Sequence, residues 1–280
     1  MNSPIFKAFF TMIARCALGL SALALIIGVG AGRAQAQTGP VDPRLGCDRV
    51  GAPPPDLSGP DNIHFFKQRL LYYRCTAYES DIAEVLGRAQ KWVAARAPQV
   101  ARPAIVLDID ETSLYNWPRI YQDDYAYFST FPGVDDCKFV KVGDLCGDLD
   151  WQKNGLAQPI FPTLNLYRLA RCIDQPQPCT KIDVFFVTGR REIKFKDEMP
   201  SDWTLRNLDR AGYTGIERDH LIMRKPDSHG SAVNHKAPAR AAIERQGFTI
   251  IASIGDQQSD LEGGYAEMTF KVPNPFYFIE

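Results

Sequence analysis

Five short apolar runs punctuate this chain, and each ends in polar or charged residues. Ala104-Ile105-Val106-Leu107 runs straight into Asp108 and Asp110. Asp183 to Thr188 (Asp-Val-Phe-Phe-Val-Thr), His220 to Met223, Thr249 to Ile254 and Thr269 to Val272 follow the same plan. Runs this short and continuously apolar read as strands covered on both faces, as in a parallel sheet. They predict strands near 104–109, 183–188, 220–223, 250–255 and 269–272. Between them the period changes to that of a helix. Ile82, Val85, Leu86, Ala89, Trp92 and Val93 form one amphipathic stripe, so helices are expected over roughly 61–75 and 79–97, ended by Pro98 and Pro103. Further helices are expected over 162–171, over 203–211 with Gly212 closing it, and from His235 to about Gln246 despite an early Pro238. The alternation predicts a Rossmann-like α/β domain with a parallel central sheet and helices on both faces.

Two stretches depart from that rhythm. Residues 37–59 are rich in Pro and Gly and read as an irregular N-terminal arm before a domain over 60–280. Residues 113–180, between the first and second core strands, carry Tyr115, Trp117, Tyr121, Tyr125, Tyr127, Phe128, Phe131 and Trp151. Such an insert suits either a small lid over a site or a peripheral packing module, and no single aromatic stands out as a substrate contact. Arg224 to Asn234 reads as a polar loop.

The first 36 residues carry Lys7, Arg15 and Arg33, no acid, an apolar run from Cys16 to Val29, and Ala34-Gln35-Ala36 at their end. This is the pattern of a Sec-type signal peptide. The run is short for a span of about 20 residues, so no membrane span is expected after cleavage. The whole chain has 32 basic and 33 acidic residues; without the segment, which holds three basic and no acidic residues, the net charge is −4. That excludes a nucleic-acid partner held by bulk charge. Beyond Cys16 six cysteines remain, an even number in an exported chain, which suggests disulfides. Spacing favours Cys137–Cys146 and Cys172–Cys179 as local loops, leaving Cys47–Cys75 to staple the arm. The spacings are not those of a zinc site.

The strand ends hold the candidate chemistry. Open α/β sheets bind ligands beyond the carboxyl ends of their strands, and there lie Asp108, Asp110, Thr188, Asp256 and Asp260. Two carboxylates as close as Asp108 and Asp110 repel unless a cation or a proton intervenes. Thr188 followed by Gly189, where backbone N–H groups can approach closely, suits a phosphate oxygen. Lys236 near a helix start adds positive charge where the helix is already positive, which makes sense if an anion lies nearby. Carboxylates, a hydroxyl and a lysine on one edge form the inventory for phosphoryl transfer with a hard divalent cation such as Mg2+.

In order and spacing these residues resemble the haloacid dehalogenase (HAD) superfamily. Asp108-x-Asp110-x-Thr112 matches its first motif, Thr188 its second, Lys236 its third, and Gly-Asp256-x-x-x-Asp260 its fourth. Val-Thr-Gly-Arg, Ile-Gly-Asp-Gln-Gln-Ser-Asp-Leu and Phe-Lys-Val-Pro-Asn-Pro-Phe-Tyr further resemble subfamily IIIB, which includes exported bacterial acid phosphatases, plant acid phosphatases and vegetative storage proteins. The resemblance covers roughly residues 60–280. It implies a HAD core and a phosphomonoesterase acting on small phosphomonoesters. Asp108 would be nucleophile and metal ligand, and Asp110 general acid/base with its backbone carbonyl on the metal. Thr188, Gly189 and Lys236 would hold phosphate, Asp256 would ligate Mg2+, and Asp260 would support the metal or a water. Arg240 also fits the pattern but has no implied role. Ala-Pro after Lys236 departs from it. A storage or phospho-ligand-binding protein of the same fold, or a phosphotransferase using the same aspartyl-phosphate, are the alternatives. The signal segment implies export, to a periplasm or out of the cell.

Overall fold

In chain order the elements are α1 (Ile63–Thr76), α2 (Tyr78–Arg96), β1 (Pro103–Leu107), β2 (Leu114–Tyr115), α3 (Trp117–Gln122), α4 (Gly147–Asn154), β3 (Gln158–Pro159), α5 (Phe161–Ala170), β4 (Asp183–Arg191), α6 (Pro200–Arg210), β5 (Leu221–Arg224), α7 (Val233–Arg245), β6 (Thr249–Gly255) and β7 (Thr269–Lys271). The structure is a computed structural model, and it describes residues 41–52, 62–127 and 147–279. The signal segment, the Cys137–Cys146 pair, Phe128 and Phe131 lie outside the described residues.

The strand order is β5-β4-β1-β6-β7, all parallel. From β1 the chain moves to β4 and β5 on one side, then returns to β6 and β7 on the other. The order therefore reverses around β1, and the carboxyl end of β1 is the crevice where such sheets place ligands. β1 is buried along its whole length. Its side chains alternate between two apolar layers, as a strand requires. Ile105 and Leu107 join Ile82, Leu86, Ala89 and Val93 of α2 and Leu164 and Leu166 of α5. Ala104 and Val106 join Ala239 and Ile243 of α7. Burying each such Leu or Ile contributes about 1.5–3 kcal/mol, so β1 is pinned from both faces.

Several boundaries differ from the sequence expectation. β1 ends at Leu107 rather than near 109, because the chain turns sharply there. The Ile109 carbonyl accepts from the N–H groups of Ser113 and Leu114, both at 2.8 Å, and Glu111 adopts a left-handed φ of 54°. β4 runs on to Arg191, past the expected 188. α7 starts at Val233, two residues earlier than expected, which puts Pro238 inside the helix rather than in its first turn. β2, β3, α3 and α4 were not expected. Trp151 lies inside α4. Elements of two to eight residues carry too little periodicity to be seen in a sequence.

The arm is docked. Cys47 pairs with Cys75, Cα atoms 5.4 Å apart and 28 residues apart in sequence, and Cys172 pairs with Cys179. Arg74 is buried, donates to the Pro43 carbonyl at 2.7 Å, and lies 5.3, 4.9 and 5.9 Å from the ring centroids of Tyr78, Tyr115 and Trp117. Trp117 Nε1 donates to the Leu45 carbonyl at 2.9 Å. Tyr115, Trp117 and Tyr121 are thus packing residues between arm and domain.

His235 ties α7 to the sheet. Its Nε2 lies 3.1 Å from the Thr188 carbonyl. Burial lowers its imidazole from the ordinary 6.5 to about 4. Above pH 6.5 neither folded nor unfolded His235 is charged. Between 6.5 and 4 the unfolded chain takes the proton first, so stability is lost as pH falls across that window. Urea unfolding near pH 7 and near about pH 4.5 should show a smaller drop for His235→Gln, which keeps a donor for Thr188, than for the native chain. Equal drops would remove His235 from the account. Replacing Cys47 and Cys75 together by Ser should cost about 3–4 kcal/mol in urea unfolding. No loss would mean that the arm is held by Arg74 and Trp117 alone.

Candidate active site

A cleft of about 620 Å³ opens beyond the carboxyl ends of the strands, and Asp108, Asp110, Gly189, Lys236 and Asp256 all line it. Thr188 and Asp260 stand directly behind its wall, both buried. The ends of three strands, β1, β4 and β6, and the start of α7 therefore converge, as the order reversal around β1 requires.

Asp108 follows β1, and its backbone N–H still pairs with the Ile254 carbonyl at 3.0 Å. Its carboxylate is 4% exposed as a residue. Lys236 donates from Nζ to Asp108 Oδ1 at 2.8 Å and also to Asp260 Oδ1. The anions that explain a lysine in the second turn of α7 are these two carboxylates. Burial would lower the Lys236 ammonium, but the charges of Asp108 and Asp260 outweigh it and keep it protonated. One lysine does not balance the cluster. Asp108, Asp256 and Asp260 are all buried, and one carboxylate oxygen from each lies within 4.8 Å of the others. Burial first, and then the charge of Asp260, push the Asp108 carboxyl well above its usual range. Burial raises Asp260 as well.

Three buried carboxylates facing one ammonium leave negative charge that a low-dielectric site does not tolerate. The donors are all oxygen, which suits a hard divalent cation. On this donor set and its charge, the residues fit a metal ion held by Asp108 and Asp256, with Asp260 beside them. Asp260 belongs to the same carboxylate cluster and shares the lysine with Asp108.

The surroundings hold these groups in place. Asp256 Oδ1 accepts from the Thr112 hydroxyl at 3.1 Å, and its Oδ2 accepts from Gln257 Nε2 at 2.5 Å and Asn274 Nδ2 at 2.7 Å. Lys271 donates to the Asp256 carbonyl at 2.6 Å. Asp260 folds back against Gly255: a Cβ there would lie 2.2 Å from the Asp260 side chain, so only glycine fits. Asp260 Oδ2 accepts from the Gln257 N–H at 3.0 Å. Arg240, which carried no implied role, is buried and donates to the carbonyls of Asp260 (2.9 Å), Gly264 (3.0 Å) and Glu262. It fixes the turn that carries Asp260.

Asp110 faces a different set of partners. Arg190 grips it through Nε (3.2 and 3.0 Å to its two oxygens) and Nη2 (2.7 Å), and Asn116 Nδ2 donates to it at 2.8 Å. Burial alone would raise Asp110, but the Arg190 charge and hydrogen bonds, with those of Asn116, outweigh it and hold the carboxyl below its usual range. Arg190 is itself buried and braced by Thr204 Oγ1 at 3.2 Å. Thr188 Oγ1 accepts from the Arg190 N–H at 3.1 Å. Its hydroxyl is thereby fixed behind the cleft, while exposed Gly189 lies on the wall. Glu111 caps the turn from below. It accepts from the Asn116 N–H at 2.7 Å and from the Tyr277 hydroxyl at 2.5 Å, and burial raises it to about 7.

Sequence reasoning missed Arg190, Asn116, Glu111, Asn274 and Tyr277 as parts of the site. Arg190, Asn274 and Tyr277 sit within the quoted Val-Thr-Gly-Arg and Phe-Lys-Val-Pro-Asn-Pro-Phe-Tyr stretches, so a signal was present. Nothing local marked Asn116. The insert divides: Tyr125, Tyr127, Asp148 and Gln152 line the cleft, as do Phe276, Phe278 and Ile279 of the C-terminal segment.

Comparison with known proteins agrees with this geometry. Residues 65–280 match the HAD superfamily, subfamily IIIB (Acid phosphatase). Acid phosphatase 1 of Solanum lycopersicum is 34% identical over 182 residues, 64% of this chain and 60% of that protein. Stem 28 kDa glycoprotein of Glycine max is 32% identical over 214 residues, 75% of this chain and 72% of that protein. Vegetative storage protein 1 of Arabidopsis thaliana is 27% identical over 177 residues, 62% and 54% of the two. The matches thus span from 54% to 72% of these relatives' lengths. The class C acid phosphatase of Bacillus anthracis shares the fold, with a TM-score of 0.55 at 19% identity over 76% of this chain and 86% of that one. A parallel sheet with this strand order, these strand-end carboxylates and a match over residues 65–280 make the chain a member of the HAD superfamily, subfamily IIIB, the acid phosphatase subfamily.

Proposed function

We propose that this chain is an exported, Mg2+-dependent phosphomonoesterase that works through a phosphoryl group carried on Asp108. The observation that carries the reading is the pairing of buried Asp108 and half-buried Asp110, two neighbouring aspartates with opposite surroundings. Asp108 sits in the carboxylate cluster against Lys236, and Asp110, two residues on, is held by Arg190.

In the first half-reaction an Asp108 carboxylate oxygen forms a bond to phosphorus as the bond from phosphorus to the ester oxygen breaks. The leaving oxygen takes a proton from Asp110. In the second, water attacks the phosphorus, gives a proton to the Asp110 carboxylate, and the Asp108 oxygen leaves. Lys236 and the backbone at Gly189, with Thr188 behind, hold the phosphoryl oxygens. A metal ion held by Asp108, Asp256 and the Asp110 carbonyl, supported by Asp260, would supply positive charge against the phosphoryl dianion. Paired cysteines fit an oxidising compartment, and no described helix is long and apolar enough to cross a membrane.

A storage role is the second reading, favoured by the similarity to a protein named for that role. The presence of Asp108 with its lysine argues for catalysis. Hydrolysis of p-nitrophenyl phosphate decides between them. With Mg2+ the native chain should turn over, EDTA should stop it, and Asp108→Asn should lower kcat about a thousandfold or more. A folded, Mg2+-loaded chain without turnover at any pH would favour storage or binding.

Arg190 generates a further expectation. Asp110 must hold a proton in the first half-reaction, and Arg190 opposes that. Arg190→Gln removes the cation, so the Asp110 pKa rises and the alkaline limb of the kcat/KM profile should move to higher pH. The kcat should fall about tenfold or more, because the carboxyl loses its fixed orientation. An unmoved limb would mean that Arg190 has no hold on the catalytic proton.

A further inference from the structure

The cleft carries a second positive feature, apart from Lys236 and Arg190. Arg191 ends β4, Arg224 ends β5, and the two are register partners on neighbouring parallel strands. Both line the cleft. Like charges side by side on adjacent strands destabilise a sheet unless something compensates them. Among the described residues neither guanidinium has a carboxylate partner. Arg191 Nη1 donates to the Pro226 carbonyl at 3.3 Å. Arg224 Nη2 donates to the carbonyls of Ser228 and Gly230 at 3.3 and 2.8 Å. Carbonyls orient a guanidinium without neutralising it. The neighbouring acid, Glu192, is taken by Ser201, accepting from its hydroxyl at 2.6 Å and its N–H at 3.0 Å.

Arg224 Nε is buried with no acceptor, which costs about 1–3 kcal/mol for an ordinary group and more for a charged one. Burial, and then the Arg191 charge, lower the Arg224 guanidinium from its usual value. The pair is held open, oriented by the 226–230 carbonyls, and uncompensated.

We propose that Arg191 and Arg224 form a second anion subsite, which selects phosphomonoesters whose leaving group carries a further phosphate or carboxylate. This rests on the phosphomonoesterase reading above and names its substrate class. The scissile phosphate lies at Asp108 and Lys236, and the second anion bridges the two arginines along the same wall.

Alkanediol bisphosphates of roughly three to six carbons, the matching alkyl monophosphates and the matching phosphorylated hydroxy acids test it. One span of bisphosphate should give a kcat/KM about tenfold above its monophosphate. Arg191→Gln and Arg224→Gln should each remove that preference, mainly through KM. The hydroxy-acid series tells whether a carboxylate serves as well as a phosphate. A preference absent at every length, or kept in both variants, overturns the subsite. The Asp108→Asn chain, titrated by calorimetry with the same bisphosphates and monophosphates, separates this inference from the reading it rests on. Tighter bisphosphate binding that both substitutions abolish supports the subsite even if no ester is hydrolysed. Equal binding of the two series overturns it even if hydrolysis is observed.

Discussion

Three buried carboxylates facing one buried ammonium set the terms for the rest of this molecule. Asp108, Asp256 and Asp260 would repel one another out of the crevice if nothing held them. Lys236 bridges two of them, and the third is fixed by Thr112, Gln257 and Asn274. The price is set in the backbone: Gly255 must lack a side chain so that Asp260 can fold back, and Arg240 must hold three carbonyls of the following turn. Removing one partner from such a cluster leaves an uncompensated buried charge, which is far more costly than losing a surface pair.

The sheet order is what brings the charges together. Lys236 is 128 residues from Asp108 in sequence, yet the reversal of strand order around β1 puts α7 and the end of β6 beside it. The same reversal sets Arg190, at the end of β4, against Asp110. The two aspartates are two residues apart and point into different surroundings. One faces carboxylates and a lysine, the other an arginine and an amide. Separate environments for neighbouring carboxyls are how one site assigns them different roles.

The insert and the C-terminal segment show how packing and function share residues. Tyr115, Trp117 and Tyr121 close the arm onto the domain around Arg74. Tyr125 and Tyr127, a few residues on, face the cleft. The C-terminal segment does both, since Asn274 and Tyr277 bond Asp256 and Glu111 while Phe278 and Ile279 stand at the rim. Composition cannot separate these uses, because an aromatic ring packs equally well against a guanidinium in the core or beside a ligand.

By itself the sequence determined the strands of the parallel sheet and the residues that could carry the chemistry. Apolar runs that stop at Asp108, Thr188 and Asp256 are local patterns, and local patterns are written in neighbouring residues. It also limited the bulk charge and marked two of the cysteine pairs, Cys47–Cys75 and Cys172–Cys179. Only the tertiary structure decided what each charged residue is for. Arg240 became the clamp on the Asp260 turn, Arg190 the holder of Asp110, and Asp260 a full member of the carboxylate cluster. Arg191 and Arg224 became neighbours only when β4 and β5 took their register. Electrostatic roles depend on distance and burial, and both are properties of how distant segments meet, which no stretch of sequence contains.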